Sequence, residues 1–273
     1  MTIDQHTKLY GVVGHPIGHS LSPTMHNAAF YATRVNAVYL AFDTTDIEGC
    51  IKGIKALGIR GMSVTIPHKS AVIPFLDELD ALAEQIGAVN TIVNNHGFLT
   101  GYNTDAVGAL RALEEKVELE GKTCVIIGAG GAARAIGFIL KNHGVRLSIS
   151  NRSVESGENL ARYLDCSFVP LAEIENVSMD ILIHSTPVGM YPHDEQCLIP
   201  REILTKEMVV MDIIYNPLES TLLKRARSQG CLTVDGLGMF IHQGAEQFRL
   251  WTGLEAPVEI MRGEVEQALR VGT

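Results

Sequence analysis

The chain has no run of lysine or arginine: 22 basic residues stand against 31 acidic ones, a net charge of −9. Nucleic-acid backbones are held by clustered cations, so this balance argues against a nucleic-acid partner. No apolar run reaches the roughly 18 residues a membrane-spanning helix needs, so no membrane partner is expected. The five cysteines, Cys50, Cys124, Cys166, Cys197 and Cys231, are odd in number, widely spaced and without a C-x-x-C pair. That argues against a disulfide framework or a zinc site and for a reducing compartment. His15 and His19 stand four apart, but Pro16 and Gly18 between them break any helix that would bring them to one face, and no metal site is expected. The opening MTIDQHTK is polar and mixed in charge with no apolar stretch behind it, so no secretory signal is expected and the cytoplasm is the expected location. No internal repeat or low-complexity segment stands out.

What is present is a chain of 273 residues, 46% hydrophobic and 19% charged, enough for one large or two ordinary domains. Strand and helix patterns alternate. Strands are expected at 9–14, 37–43 and 61–67, and helices at 22–34, 47–58 and 77–87. Ser22 is expected as N-cap of the first helix with Pro23 at its first position. Residues 88–105 read as a hairpin turning at 95–97, followed by a helix at 106–116. A second series begins at Gly121, with short buried strands at 122–128, 146–151, 180–186, 208–215 and 231–236 and helices between them. The C-terminal part is helical. This order implies an α/β fold of mostly parallel, helix-covered sheets, with a boundary near residues 105–120.

Two stretches carry chemistry. In VIIGAGGAARAIG, Gly128, Gly130 and Ala133 follow G-x-G-x-x-G/A directly after a strand and at the opening of a helix, the context a dinucleotide fingerprint needs. Gly128 suits the tight turn, and Gly130 lets backbone approach a pyrophosphate that the helix N-terminus stabilises. The next strand ends SISNRS, so Asn151 and Arg152 stand where an NAD site places an acid. A guanidinium grips a 2′-phosphate, and the expected cofactor is therefore NADP. The other stretch is SVTIPHK (63–69), in which a buried strand carrying Val64 and Ile66 is expected to stop at Pro67 and then present Lys69. Other strand-to-loop junctions carry Ser20 and Ser22, Thr65, Asn90 and Asp105. Hydroxyls, an amide, one ammonium and one carboxylate at the carboxyl ends of strands suit a small polyol acid.

These pieces occur in one order. GHPIGHSLSPTMHNAAF, SVTIPHK, GAVNTIV, GYNTDAVG, GAGGAAR, NRS, STPVGM, DIIYNPLEST and GLGMFIHQGAEQFRLWTG span the chain, which resembles the shikimate dehydrogenases from end to end. The resemblance implies two α/β domains around a cleft. Residues 1–105, completed by helices at 240–273, would form the substrate domain, and 106–239 a Rossmann-type NADP domain. It implies reduction of 3-dehydroshikimate to shikimate with NADPH, on the route to aromatic amino acids. Lys69 and Asp105 match the catalytic pair. Ser20 and Ser22, with Tyr215, match the groups that hold the substrate carboxylate, and Thr65, Asn90 and Gln243 those that bind ring hydroxyls. Gly128, Ala129, Gly130, Gly131 and Ala132 match the phosphate turn, and Asn151, Arg152 and Ser153 the 2′-phosphate site. Thr186, Pro187 and Val188 match the cofactor's path, and Gly236 and Met239 positions near the nicotinamide. Ser63 departs from the asparagine common in the family, and Glu155 and Ser156 stand where a further basic residue is common. Lys69 would supply both charge and proton to a ketone oxygen that turns negative as hydride arrives. The expected partner is shikimate or 3-dehydroshikimate, and a homodimer is left open. The rivals are an NAD-using quinate/shikimate dehydrogenase on the same fold and a non-catalytic dinucleotide sensor.

Overall fold

Alternating strands and helices build two separate sheets. In the computed structural model, which describes residues 3–271, the chain divides into two units: residues up to Thr104 together with those from Gln243 onward, and Asp105–His242. The outermost residues of the expected substrate domain, 1–2 and 272–273, lie outside the described residues.

The first unit contains β1 (Lys8–Gly14), α1 (Ser22–Ala32), β2 (Ala37–Asp43), α2 (Ile47–Leu57), β3 (Gly61–Val64), β4 (Glu78–Leu79), α3 (Ala81–Ile86), β5 (Thr91–Asn95) and β6 (Phe98–Tyr102). Its sheet runs β2-β1-β3-β5-β6-β4. β1 pairs parallel with β2 and β3, while β5 is antiparallel to both β3 and β6. The two-residue turn at His96 and Gly97, both at positive φ, forces that reversal. α2 shows why these helices form. Ile47, Ile51 and Ile54 recur on its buried face, Asp46 caps its N-terminus by accepting from Gly49 N–H at 2.8 Å, and Gly58 ends it in the left-handed region.

The second unit contains α4 (Asp105–Glu114), β7 (Thr123–Ile127), α5 (Gly131–Asn142), β8 (Arg146–Asn151), α6 (Val154–Leu164), β9 (Ser167–Pro170), β10 (Ile181–His184), β11 (Val209–Asp212), α7 (Thr221–Ser228) and β12 (Leu232–Val234). Its sheet runs β12-β11-β10-β7-β8-β9, parallel throughout. Cys124 and Ile126 face one hydrophobic core and Val125 and Ile127 another, so β7 is buried on both faces. α8 (Gly236–Thr252) and α9 (Val258–Val271) complete the chain.

Four expectations are corrected. Ser22 is not a cap: α1 begins at Ser22, the capping position belongs to Leu21, and no side chain bonds there. The acidic stretch at 77–87 is helical only from Ala81. Asp77 instead accepts from Leu99 N–H and Lys55, and Asp80 caps α3 by accepting from Ala83 and Leu82 N–H at 2.9 and 3.3 Å. β3 stops at Val64, and Ile66, read as a buried strand residue, is 65% exposed. β9 joins the second sheet where no strand was expected. A paired measurement checks the first two corrections: Asp80→Ala should cost about 1 kcal/mol of stability, the worth of a cap, and Ser22→Ala well under that. Equal losses in a denaturant titration would return the capping role to Ser22.

Candidate active site

The topology of the first sheet brings Ser20, Thr65 and Asn90 to one edge. β1 and β3 are parallel, so their carboxyl ends open the loops that carry Ser20 and Thr65 on the same side. Because β5 runs antiparallel, its amino end, with Asn90 just before it, lies at that edge too. β6 reverses again and delivers Thr104 there. The loop from β1 is pinned at the end of β2: Asp43 holds the His15 ring at 2.6 Å and accepts from Ile17 N–H at 3.3 Å. The His15 bond, followed by that from Ile17, lowers the Asp43 pKa below the ordinary carboxylate value. Beyond it, Ser20 Oγ accepts from Ser22 N–H at 3.3 Å, which keeps the two hydroxyl residues together.

The 65–69 segment is a tight turn. Thr65 N–H donates to Val13 O at 3.0 Å, Thr65 O accepts from His68 N–H at 2.8 Å, and the buried His68 ring bonds Thr44 O at 2.7 Å. Lys69 O accepts from Val89 N–H at 2.8 Å, so the backbone of the lysine is tied to the strand segment that carries Asn90. Asn90 is held at both ends of its amide. Its Oδ1 accepts from Thr104 N–H at 2.8 Å and Thr91 Oγ1 at 2.7 Å, and its Nδ2 donates to Thr104 Oγ1 at 2.9 Å and Gln243 Oε1 at 3.5 Å.

In the second unit the predicted phosphate-turn, 2′-phosphate and cofactor-path residues follow the carboxyl ends of the neighbouring strands β7, β8 and β10, whereas Gly236 and Met239 follow β12 on α8. That is where parallel sheets bind dinucleotides. Gly128 has φ +119°, and a Cβ there would fall 2.6 Å from Ser185 Oγ, so only glycine fits. Ala129 leads to Gly130, the N-cap of α5, and Gly131 and Ala132 form its first turn with no side-chain cap, which leaves N–H groups for a phosphate. Asn151 Nδ2 donates to Ser153 O at 3.0 Å, and Ser153 caps α6. Asn151 and Arg152 line an open pocket of about 420 Å³ with Val154, Pro170, Leu171 and Ala172. A glycine-only turn, an uncapped helix start and an arginine-lined pocket fit a phosphorylated dinucleotide.

The remaining predicted residues have mixed surroundings. Tyr215 stacks on Phe240 with ring centres 4.3 Å apart. Met239 is buried in the core of the second unit. Gly236 packs on backbone, with a Cβ there 2.4 Å from Ile213 C and O. Asp105 is buried in the first turn of α4, where the helix dipole favours a carboxylate. Pro187 is exposed and Val188 half-buried.

Thr186 reveals a group that motif reading missed. His184 and Asp212 are register partners on β10 and β11. Asp212 takes His184 Nδ1–H at 3.0 Å, Ser220 Oγ–H at 2.5 Å and Ile214 N–H at 3.1 Å. The other ring nitrogen of His184 then accepts from the Thr186 hydroxyl at 2.6 Å, and Thr186 Oγ1 accepts from Val188 N–H at 3.3 Å. The loop along the predicted cofactor path thus hangs on a buried histidine and aspartate. Only their places at adjacent strand ends could have signalled this. Among the described residues no group of three or more His, Cys, Asp or Glu is arranged to hold a metal, and no helix is long and apolar enough to cross a membrane.

Comparison with known proteins matches three family models: the shikimate dehydrogenase substrate binding domain over residues 12–92, shikimate/quinate 5-dehydrogenase over 111–217, and the shikimate 5′-dehydrogenase C-terminal domain over 236–266. The NADP(+) shikimate dehydrogenase of Methanocaldococcus jannaschii is 46% identical over 277 residues, covering 96% of this chain and 98% of the relative. That of Geobacillus kaustophilus is 47% identical over 273 residues, covering 96% and 99%. A crystal structure of a shikimate dehydrogenase in complex with NADP+ superposes with a TM-score of 0.94 at 45% identity, covering 98% of each chain.

Proposed function

The chain belongs to the shikimate dehydrogenase family, and we propose that it is the enzyme that interconverts 3-dehydroshikimate and shikimate with NADP, in the cytoplasm, for aromatic amino acid synthesis. The first unit is the substrate domain and the second the NADP domain. The observation that carries the reading is the shared edge of the first sheet, where an antiparallel strand supports Asn90 beside the turn that ends in Lys69.

When bound, NADPH would be the source of the hydride that reduces the ketone. Lys69 offers its ammonium to the oxygen that becomes negative and gives it a proton, while Asp105 holds the ammonium in place. Ser20 and Ser22, with Tyr215, bind the carboxylate, and Thr65, Asn90 and Gln243 bind ring hydroxyls. Gly128 to Ala132 would hold the pyrophosphate, and Asn151, Arg152 and Ser153 the 2′-phosphate end. Thr186, Pro187 and Val188 border the cofactor, with Gly236 and Met239 near the nicotinamide.

An absorbance assay for reduced nicotinamide, with shikimate or quinate and NADP or NAD, tests the reading. Shikimate with NADP should be the best pair. Equal turnover with NAD and quinate would favour the quinate/shikimate rival, and tight NADP binding without turnover the non-catalytic sensor. Within the substrate domain, Ser20→Ala should raise KM for shikimate about tenfold, near the low end for a charge-assisted bond because backbone N–H groups share the carboxylate. An unchanged KM would move the carboxylate elsewhere.

A further inference from the structure

Asn90 and Gln243 are held by a buried polar chain that no motif announces. Gln247 is 2% exposed and lies four residues after Gln243 on α8, so the two amides share a helix face one turn apart. Gln247 Nε2 donates to Asn90 O at 3.3 Å and to Thr91 Oγ1 at 2.9 Å. Its Oε1 accepts from Ser63 Oγ at 2.9 Å and contacts His26 Nε2 at 3.2 Å. Tyr39 OH donates to Ser63 Oγ at 2.6 Å.

The donor sense of this chain is not free. Asn90 O is a backbone carbonyl and can only accept, so it must face the Gln247 NH₂ rather than its oxygen. Gln247 Oε1 then faces Ser63 and His26, and both must donate. Ser63, having spent its proton, accepts from Tyr39. Thr91 Oγ1, having accepted from Gln247, has its own proton for Asn90 Oδ1 at 2.7 Å. This agrees with the Thr104 N–H, which donates to Asn90 Oδ1 at 2.8 Å: Oδ1 is the acceptor side of the amide, and Nδ2 is turned toward Gln243. His26 conforms. Its Nδ1 is buried without a partner, which puts the ring proton on Nε2, and burial drives its pKa down to about 3, so the ring is neutral. Its ring stacks on Tyr39 with centres 4.5 Å apart.

We propose that Gln247 and Ser63 are positioning residues for the amides of Asn90 and Gln243: they pin this face of α8 to the start of β5 and, together with Thr104 N–H, hold the direction in which Asn90 presents its amide to a shikimate hydroxyl. The proposal rests on the assignment of Asn90 to a ring hydroxyl and adds two residues that do not themselves touch substrate.

The test compares Asn90→Ala, Gln247→Leu and Ser63→Ala in the full-length enzyme, on shikimate and on the two mono-deoxy analogues that keep the reacting hydroxyl. Asn90→Ala should raise KM for shikimate and leave KM unchanged for one analogue, which identifies its hydroxyl. Gln247→Leu should reproduce that pattern: KM for shikimate up about five- to tenfold, the worth of one well-aligned neutral hydrogen bond, no penalty on the same analogue, and kcat and KM for NADP within about twofold. A merely structural role would not single out one hydroxyl. If Gln247→Leu fails to fold, Ser63→Ala carries the test, with the same pattern at about threefold. A shikimate KM within twofold of the unmutated enzyme in the folded variant overturns the proposal, as does a rise shared equally by both analogues and NADP. If Asn90→Ala distinguishes neither analogue, the assignment of Asn90 falls and the proposal with it. If Asn90→Ala shows the pattern and the other variants do not, only the proposal falls.

Discussion

Lys69→Ala should lower kcat by about 10²- to 10⁴-fold, the usual worth of a positioned general acid–base group, with KM for shikimate changed only a few-fold. The backbone of Lys69 is fixed from two sides: His68 beside it is buried on Thr44 O at 2.7 Å, and its own carbonyl accepts from Val89 N–H at 2.8 Å. The side chain thus starts from a rigid turn, and its removal deletes both the cation opposite the developing oxyanion and the proton that quenches it. Neither is needed to hold the ground-state substrate, so the loss falls on kcat. Asp105→Asn keeps the size of the side chain and removes the charge of the carboxylate proposed as the partner of Lys69; it should cost a similar factor. The double variant should lose less than the product of the two single losses, because residues acting as one unit are not additive. Steady-state kinetics with NADP saturating decides this. Near-full kcat in Lys69→Ala would end the assigned mechanism, and full additivity would separate the pair.

Arg152→Ala should remove most of a preference for NADP over NAD of about 10- to 150-fold in kcat/KM. Arg152 is exposed beside the open pocket it lines with Asn151, Pro170 and Leu171. A guanidinium on a 2′-phosphate is worth about 1.5–3 kcal/mol in water-exposed surroundings, and each 1.4 kcal/mol is tenfold. Glu155 and Ser156 occupy the first turn of α6, so no second cation is contributed from there. The loss should appear as a raised KM for NADP with NAD almost untouched. Raising the salt concentration should shrink the preference in the unmutated enzyme by screening the ion pair. Equal kcat/KM for NADP and NAD before any mutation would overturn the NADP assignment and promote the NAD-using quinate/shikimate rival.

The elements that local rules describe were legible. The apolar run of β7, the glycines that open α5, the hairpin turn at His96 and Gly97 and the isoleucine stripe of α2 each depend on neighbours within a few residues. Expectations failed where a residue's partner lies far along the chain. Ser22 has the right type and place for a cap, but Ser20 Oγ takes its N–H and Leu21 holds the capping position. Asp77 sits in a stretch with helical composition, yet Lys55 and Leu99 N–H claim it. Ile66 continues the strand pattern, but β3 ends at Val64, and although Ile66 O still accepts from His15 N–H its side chain is exposed to solvent.

By itself the sequence determined an α/β chain with two series of strands, a phosphate-binding turn, a lysine at a strand end and the absence of an acid after β8. All of these rest on residue type, spacing and backbone preference. Only the tertiary structure decided that an antiparallel β5 brings Asn90 to the edge where β3 ends. It alone joined Ser63 to Gln247 across 184 residues, and His184 to Asp212 across 28. The physical reason is that a buried polar group must be matched, donor to acceptor, by whatever the fold places beside it. That partner is chosen by sheet order and helix packing, which leave no periodic signal in the chain.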